Sequence, residues 1–223
     1  MILTMQSTNE PKTVQEKAFF KNEVDMTPEQ SWRCAAITVD QSKNNTWRNE
    51  RSKRPTSTKA LALINAYEKF KKNKLDYKTL ILKFRPKPIK RGKSPAIDYG
   101  NDFEHLAKKN FSDVTGHHVF DIGLVCKNRF SWFGGSPDGL FQLGNGLHGL
   151  LEIKCAYKYR NEDKIDIKGL KYMTKEGNMN EKHSYYMQLQ LNCWVTGSKF
   201  AYLFIYTEND HKLIPVSVDD GFA

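Results

Sequence analysis

The stretch Gly134-Gly135-Ser136-Pro137-Asp138-Gly139-Leu140, followed by Gly149-Leu150-Leu151-Glu152-Ile153-Lys154-Cys155, decides how the rest of the chain is read. One carboxylate follows a proline, and a second stands two residues before a lysine. Side chains alternate across a strand, so Glu152 and Lys154 share one face, while Leu151, Ile153 and Cys155 face a core. With Asp138 on the preceding strand or turn, such a strand can hold a divalent cation and keep an ammonium beside it. An isolated Glu-x-Lys carries little information, and a salt bridge between Glu152 and Lys154 at a sheet edge is the plain alternative. That alternative leaves Asp138 without a role.

The chemistry these residues suit is phosphodiester cleavage, which needs an in-line nucleophile and relief of charge on the phosphate. Mg2+ supplies that relief when a few carboxylates hold it and several waters remain on it. Asp138 and Glu152 are the expected direct ligands, joined by the backbone carbonyl of Ile153. Lys154 is placed to polarise the attacking water or to stabilise the phosphate. Glu104 completes the shell directly or through a water; the bland reading is that it only favours the dipole of its helix. An all-oxygen set selects Mg2+, with Mn2+ able to substitute, over zinc.

Around this centre, Val119–Cys126, Arg129–Phe133, Gly139–Leu143 and Leu150–Tyr157 read as successive strands of an antiparallel meander. Lys199–Thr207 and Leu213–Val218 are further strands, and Phe200–Tyr206, apolar throughout, fits a buried central one. Asp98–Phe111 forms an amphipathic helix with Phe103, Leu106, Ala107, Asn110 and Phe111 on one side. Glu181–Thr196 forms another, ended by Gly197, with Tyr185 and Gln188 on one face. Tyr159–Asn180 reads as a long loop near the site.

Upstream, Thr27 and Pro28 start a helix that runs to about Val39. Trp47–Thr58 then carries four basic residues, among them Arg51 and Arg54, together with several hydroxyls. A helix over about Thr58–Lys72 follows, with Ser57 or Thr58 as its cap. Exposed amides, hydroxyls and arginines at a helix start suit a phosphate; an ordinary cap beside a solvated charge run accounts for the same residues. Lys83–Lys93 holds six basic residues, including Lys87, Lys90 and Arg91, and two prolines. It reads either as a basic loop over a nucleic-acid groove or as an exposed linker.

The chain has 223 residues and a formal charge of +10, which favours a polyanionic partner without requiring one. No window approaches the ~18 apolar residues of a membrane span, and Met1–Glu10 lacks the apolar centre of a signal peptide. Cys34, Cys126, Cys155 and Cys193 show no CxxC spacing, so a zinc knuckle or redox motif is unsupported. A reducing, intracellular setting is expected: the nucleus in a eukaryote, otherwise the cytoplasm. Residues 1–45 form a polar, helical extension and 46–223 the main domain.

Gly135-Ser136-Pro137-Asp138-Gly139 with Glu152-Ile153-Lys154 resembles the signature of the PD-(D/E)xK nucleases. More closely, it resembles the YqaJ-like viral recombinase branch that includes the phage lambda exonuclease. Trp47…Glu50-Arg51…Arg54-Pro55-Thr56-Ser57-Thr58 is similar to that branch's 5′-phosphate-binding opening, from which Pro55 and Thr58 depart. Gly100-Asn101-Asp102-Phe103-Glu104 resembles its glutamate-bearing helix. Tyr185-Tyr186-Met187-Gln188-Leu189-Gln190 resembles the segment that supplies an active-site glutamine, here Gln188. The resemblance implies an α/β (α+β), restriction-endonuclease-like core with a central mixed sheet flanked by helices. It also implies Mg2+-dependent 5′→3′ digestion of double-stranded DNA ends in recombination or repair, often by a ring-shaped homotrimer. By the same resemblance Tyr185 is a DNA-contacting candidate, and Arg51, Arg54, Ser57 and Thr58 bind the phosphate. An endonuclease on the same core and a decayed DNA-binding module are the competing functions.

Overall fold

The computed structural model describes residues 13–84 and 94–219. Its helices are α1 (Val14–Phe19), α2 (Pro28–Ile37), α3 (Asn45–Ser52), α4 (Ala60–Lys71), α5 (Tyr77–Phe84), α6 (Pro95–Thr115) and α7 (Ser184–Thr196). Its strands are β1 (Val119–Phe120), β2 (Val125–Lys127), β3 (Phe130–Gly135), β4 (Gly139–Gln142), β5 (His148–Cys155), β6 (Phe200–Tyr206) and β7 (His211–Ser217). The main sheet has the order β1-β4-β5-β6-β7; β5 and β6 run parallel and the other pairs antiparallel. This is the mixed sheet flanked by helices that the resemblance implied.

β6 is an interior strand, and both of its faces are apolar. Ala201, Leu203 and Ile205 pack with Leu150, Leu189 and Cys193 on the α7 side. Phe204 and Tyr206 pack with Ala107, Phe111, Leu151 and Ile153 on the α6 side. The two helices therefore cover opposite faces, and β5 lies between them. Phe111 anchors the α6 layer, its ring 5.5 Å from Phe141 and 5.6 Å from Phe204; truncating such a residue to Ala costs about 3–5 kcal/mol.

The expected meander is not formed. Val119–Cys126 breaks at residues 121–124, so β1 joins the main sheet while β2 pairs with β3 in a separate hairpin. The break is held from outside. Gly123 N donates to Ala35 O (3.0 Å) and Leu124 N to Thr38 Oγ1 (2.9 Å). A Cβ on Gly123 would stand 2.1 Å from Thr38 Oγ1, so only glycine permits that approach.

Helix α6 is longer than the pattern over 98–111 suggested. It starts with Pro95 in its first turn and ends at Gly116, φ +72°. Glu104 therefore lies in mid-helix, and the dipole account of its charge does not apply. Helices α3 and α5 were not anticipated; Asn44 caps the first through Trp47 N (3.1 Å), and Asp76 accepts from Thr79 N (2.9 Å) at the start of the second. The segment Tyr159–Asn180 is a packed excursion, with Tyr159, Ile165, Leu170, Met173 and Met179 buried in the α7-side core. Lys87, Lys90 and Arg91 lie outside the described residues.

Candidate active site

Glu152 is fully buried on the α7 face of β5. Its Oε1 accepts from Lys154 Nζ (2.6 Å) and Gln188 Nε2 (2.5 Å), and its Oε2 from Asn192 Nδ2 (3.3 Å). The Glu152–Lys154 salt bridge is thus present, but it lies in the interior rather than at a sheet edge. A buried ion pair is costly unless its remaining valences are satisfied, and α7 supplies those donors. Asn192 was not anticipated. It stands four residues after Gln188, so helical spacing was the available signal. Its Oδ1 is buried without a hydrogen-bond partner, and a Cβ on Gly135 would stand 2.4 Å from it.

Asp138 occupies the bend between β3 and β4. The β4–β5 pairing ends at Gly139–Leu151, so Ile153 N has no strand partner on that side and donates to Asp138 Oδ2 instead (2.6 Å). In a strand, the N–H and C=O of one residue point the same way. The Ile153 carbonyl therefore faces the same gap as Asp138. On α6, Glu104 is half-exposed and pairs with Lys108 (3.2 Å), which also holds Asp121 (2.8 Å).

The carboxyl groups feel one another. Burial, then the charge of Asp138, pushes Glu152 up to about 7. The same two causes, in that order, raise Glu104. Burial alone would lower Lys154, but the charges of Glu152 and Asp138 outweigh it and raise the group, so it stays protonated. Its ammonium lies 4.6 Å from the centre of the Tyr185 ring. His183 Nδ1 accepts from Tyr185 N (3.2 Å) at the start of α7, and burial, then the charge of Lys154, lowers its pKa. Among the described residues no group of three or more His, Cys, Asp or Glu is gathered as a ready-made metal cluster. Asp138, the Ile153 backbone and the Glu152–Lys154 pair meet at one end of β5, and the charge of Asp138 helps to raise both Glu104 and Glu152, a strain that a divalent cation would relieve. An oxygen-only set fits Mg2+ or Mn2+.

A second charged centre lies on the other side of the same turn. Arg51 donates to Ser136 Oγ (3.2 Å), Thr58 Oγ1 (2.9 Å) and Thr56 Oγ1 (3.4 Å), and its guanidinium carbon lies 4.2 Å from the centre of the Trp47 ring. Trp47 Nε1 donates to Ser136 Oγ (2.9 Å). Burial lowers Arg51 to about 10, so it remains charged at neutral pH. Among the described residues no carboxylate pairs with it.

Two of the residues expected beside Arg51 are placed differently. Arg54 is 4% exposed; its guanidinium meets Glu50 (3.2 Å), Val24 O (3.1 Å) and Cys126 Sγ (3.0 Å). It ties α3 to the core, and its guanidinium is sealed from solvent. Ser57 is buried, and residues 57–59 form a 3-10 turn, so neither Ser57 nor Thr58 caps α4 through its side chain.

The model of the YqaJ-like viral recombinase domain matches residues 46–199. The chain belongs to that family. As a YqaJ-like domain it is also similar to solved structures. An alkaline exonuclease, LHK-Exo, from Laribacter hongkongensis is 21% identical with a TM-score of 0.57, over 80% of this chain and 84% of that one. A SOX–DNA complex is 13% identical with a TM-score of 0.56, over 92% and 75% of the two chains. A KSHV SOX–RNA complex is 13% identical with a TM-score of 0.57, over 92% and 78%. At these identities the likeness concerns the fold. A comparison with curated proteins finds no match.

Proposed function

We propose that this YqaJ-like chain is a metal-dependent deoxyribonuclease that digests double-stranded DNA from its ends, 5′→3′, in recombination or repair. The observation that carries the proposal is the shared Ser136-Pro137-Asp138 turn. Ser136 bonds an arginine whose partners among the described residues are hydroxyls and an indole ring, and Asp138 stands beside the buried Glu152–Lys154 pair. An end phosphate held at Arg51 would place the following linkage near Asp138. The similarity to an alkaline exonuclease and to SOX in complexes with DNA and RNA, and the net charge of +10, agree with a nucleic-acid substrate.

Asp138, Glu152, the Ile153 carbonyl and, directly or through a water, Glu104 would hold Mg2+. The ion supplies charge relief on the phosphate and a more acidic water. The chain's own contributions are distinct. Lys154 stays protonated, so it is a donor to the attacking water or to a phosphate oxygen and not the base. Gln188 and Asn192 fix the orientation of Glu152. Tyr185 holds the Lys154 ammonium on its ring face. Arg51, with Thr58 and Ser136, binds the terminal phosphate as a fork of charged donors. A ring-shaped homotrimer and an intracellular site of action belong to the same proposal. No helix of the described residues is long and apolar enough to cross a membrane.

The test is digestion of end-labelled linear duplex, with and without a 5′-phosphate, in Mg2+, Mn2+ and EDTA, beside a closed circular plasmid. Metal-dependent release of mononucleotides from the 5′-phosphorylated end, with the circle intact, is expected. Cleavage of the circle would identify an endonuclease. Salt-sensitive binding without cleavage in either metal would identify a decayed DNA-binding module.

A further inference from the structure

The family match begins at residue 46, yet a residue before it reaches the turn that carries Asp138. Gln41 Nε2 donates to Pro137 O (2.8 Å) and to Ile122 O (3.1 Å). Both protons of the amide are thereby used on backbone carbonyls. Gln41 does this from φ +42°, a left-handed conformation that is uncommon for a residue with a side chain and costs of order 1–3 kcal/mol. The surrounding chain holds it there. Gln41 N bonds Thr38 O (2.9 Å), and Asn44 N bonds Gln41 O (2.9 Å). Thr38 in turn donates to Cys34 O (2.6 Å) and accepts from Leu124 N (2.9 Å).

The turn needs this support. Residues 136–138 lie between β3 and β4 and belong to neither strand. The Pro137 carbonyl belongs to the peptide that leads into Asp138, so whatever fixes it fixes the backbone from which the carboxylate projects. Ile153 N holds that carboxylate from the other side (2.6 Å). Asp138 is thus gripped at both ends, by β5 through its side chain and by Gln41 through the preceding peptide. We propose that Gln41 is a positioning residue that clamps the Pro137–Asp138 peptide and thereby sets the metal affinity of the site. The proposal rests on the nuclease reading of that site. It also makes the segment upstream of the family match a working part of the nuclease.

The chemistry of the clamp dictates its test. Gln41→Gly removes the donors and relaxes the positive φ, so the turn of residues 38–44 is kept without strain. Gln41→Glu keeps the length but points a carboxylate at two carbonyls. Gln41→Lys restores a donor of sufficient reach. Ser31→Ala is the control: it removes the hydroxyl that ties α2 to Cys126 (2.7 and 3.2 Å) and bonds neither Gln41 nor Pro137. Each is compared with the parent chain by Mn2+ and Mg2+ titration calorimetry without DNA, by the Mg2+ concentration for half-maximal digestion, and by melting temperature in EDTA.

Gln41→Gly is expected to weaken metal binding and raise the half-maximal Mg2+ by about tenfold, the lower end of the range for outer residues that orient metal ligands. Its rate at saturating Mg2+ should stay within a few-fold of the parent. Gln41→Glu should be weaker still, Gln41→Lys should return towards the parent, and Ser31→Ala should lower the melting temperature with metal affinity unchanged. Unchanged metal affinity in Gln41→Gly, with or without a lower melting temperature, would overturn the clamp, as would a folded Gln41→Lys no better than Gln41→Gly. A parent chain that binds no metal overturns the reading of the site itself and the clamp with it. A parent that binds metal without cleaving overturns only the nuclease, and leaves the affinity comparison decisive for the clamp.

Discussion

Glu152 and Arg51 are both charged groups withdrawn from water, and they are treated in opposite ways. Glu152 receives a lysine, a glutamine and an asparagine from its own chain. Arg51 receives hydroxyls and an indole face, and no countercharge among the described residues. A desolvated charge without a partner is expensive, so a chain that keeps one beside neutral groups is arranged for an anion that comes from outside. A desolvated charge that is already paired is arranged for orientation. Under the proposed function the Arg51 centre is the holder of substrate and the Glu152 centre the machinery, and Ser136-Pro137-Asp138 joins them.

The harshest way to break this contrast is to remove the cation from the paired centre. Lys154→Ala is expected to lower cleavage by at least about a thousandfold, the scale of losing an oriented donor at a developing charge. DNA binding in EDTA should be nearly unchanged. Cleavage at the parental rate in single-turnover digestion would remove Lys154 from its role.

The unpaired centre should fail differently. Arg51→Ala is expected to slow digestion of 5′-phosphorylated ends by about 10-fold to 100-fold, from lost charge-assisted hydrogen bonds, and to leave 5′-hydroxyl ends unaffected. Arg51→Lys should not restore the preference, because an ammonium cannot reproduce the fork that reaches Ser136 and Thr58 together. Equal slowing on both ends would mean that Arg51 supports the fold and does not read the end.

A milder test uses pH. Glu152 is raised to about 7, so the folded chain binds that proton more tightly than the unfolded chain does. Metal-free stability should therefore fall as pH rises from the ordinary carboxylate range through about 7. Lys154 stays protonated throughout. A divalent cation binds the ionised form, so Mg2+ should raise the melting temperature more at pH 8 than at pH 6. An equal rise at both values would show that the ion binds elsewhere.

The same contrast explains what could be read from the sequence. Glu152 and Lys154 were legible because charge interrupts an apolar strand at a period of two, and Gln188 because a helix carries a matched segment. The opening around Arg51 was legible in composition, but the roles within it were not. Arg51 and Arg54 are three residues apart with the same chemistry, and only the arrival of Glu50, Val24 and Cys126 at Arg54 decides which one is sealed in the core. The split of Val119–Cys126 between two sheets was equally hidden. Its cause is a contact with Ala35 and Thr38, more than eighty positions away. Helix α3 was missed because its residues read first as charge and hydroxyls, although Asn44 is an ordinary cap.

Asn192 offers the finest test, because it touches the paired centre and faces the end of β3. Its bond to Glu152 is long, 3.3 Å, and its Oδ1 is buried without a partner while facing Gly135. Asn192→Ala removes the donor of the buried Glu152 Oε2, so even with its own unsatisfied oxygen gone it should destabilise by about 1–3 kcal/mol and slow cleavage a few-fold. Gly135→Ala alone should destabilise by about 1–3 kcal/mol, since its methyl would collide with that oxygen and force a shift in a packed interior. In the Asn192→Ala background the collision is gone, and Gly135→Ala should then be nearly neutral. The two substitutions are therefore coupled, with the double variant more stable than the sum of the singles predicts. Additive denaturation midpoints would place the cost of Gly135→Ala elsewhere, in the backbone of β3, and would leave Asn192 as a ligand of Glu152 alone.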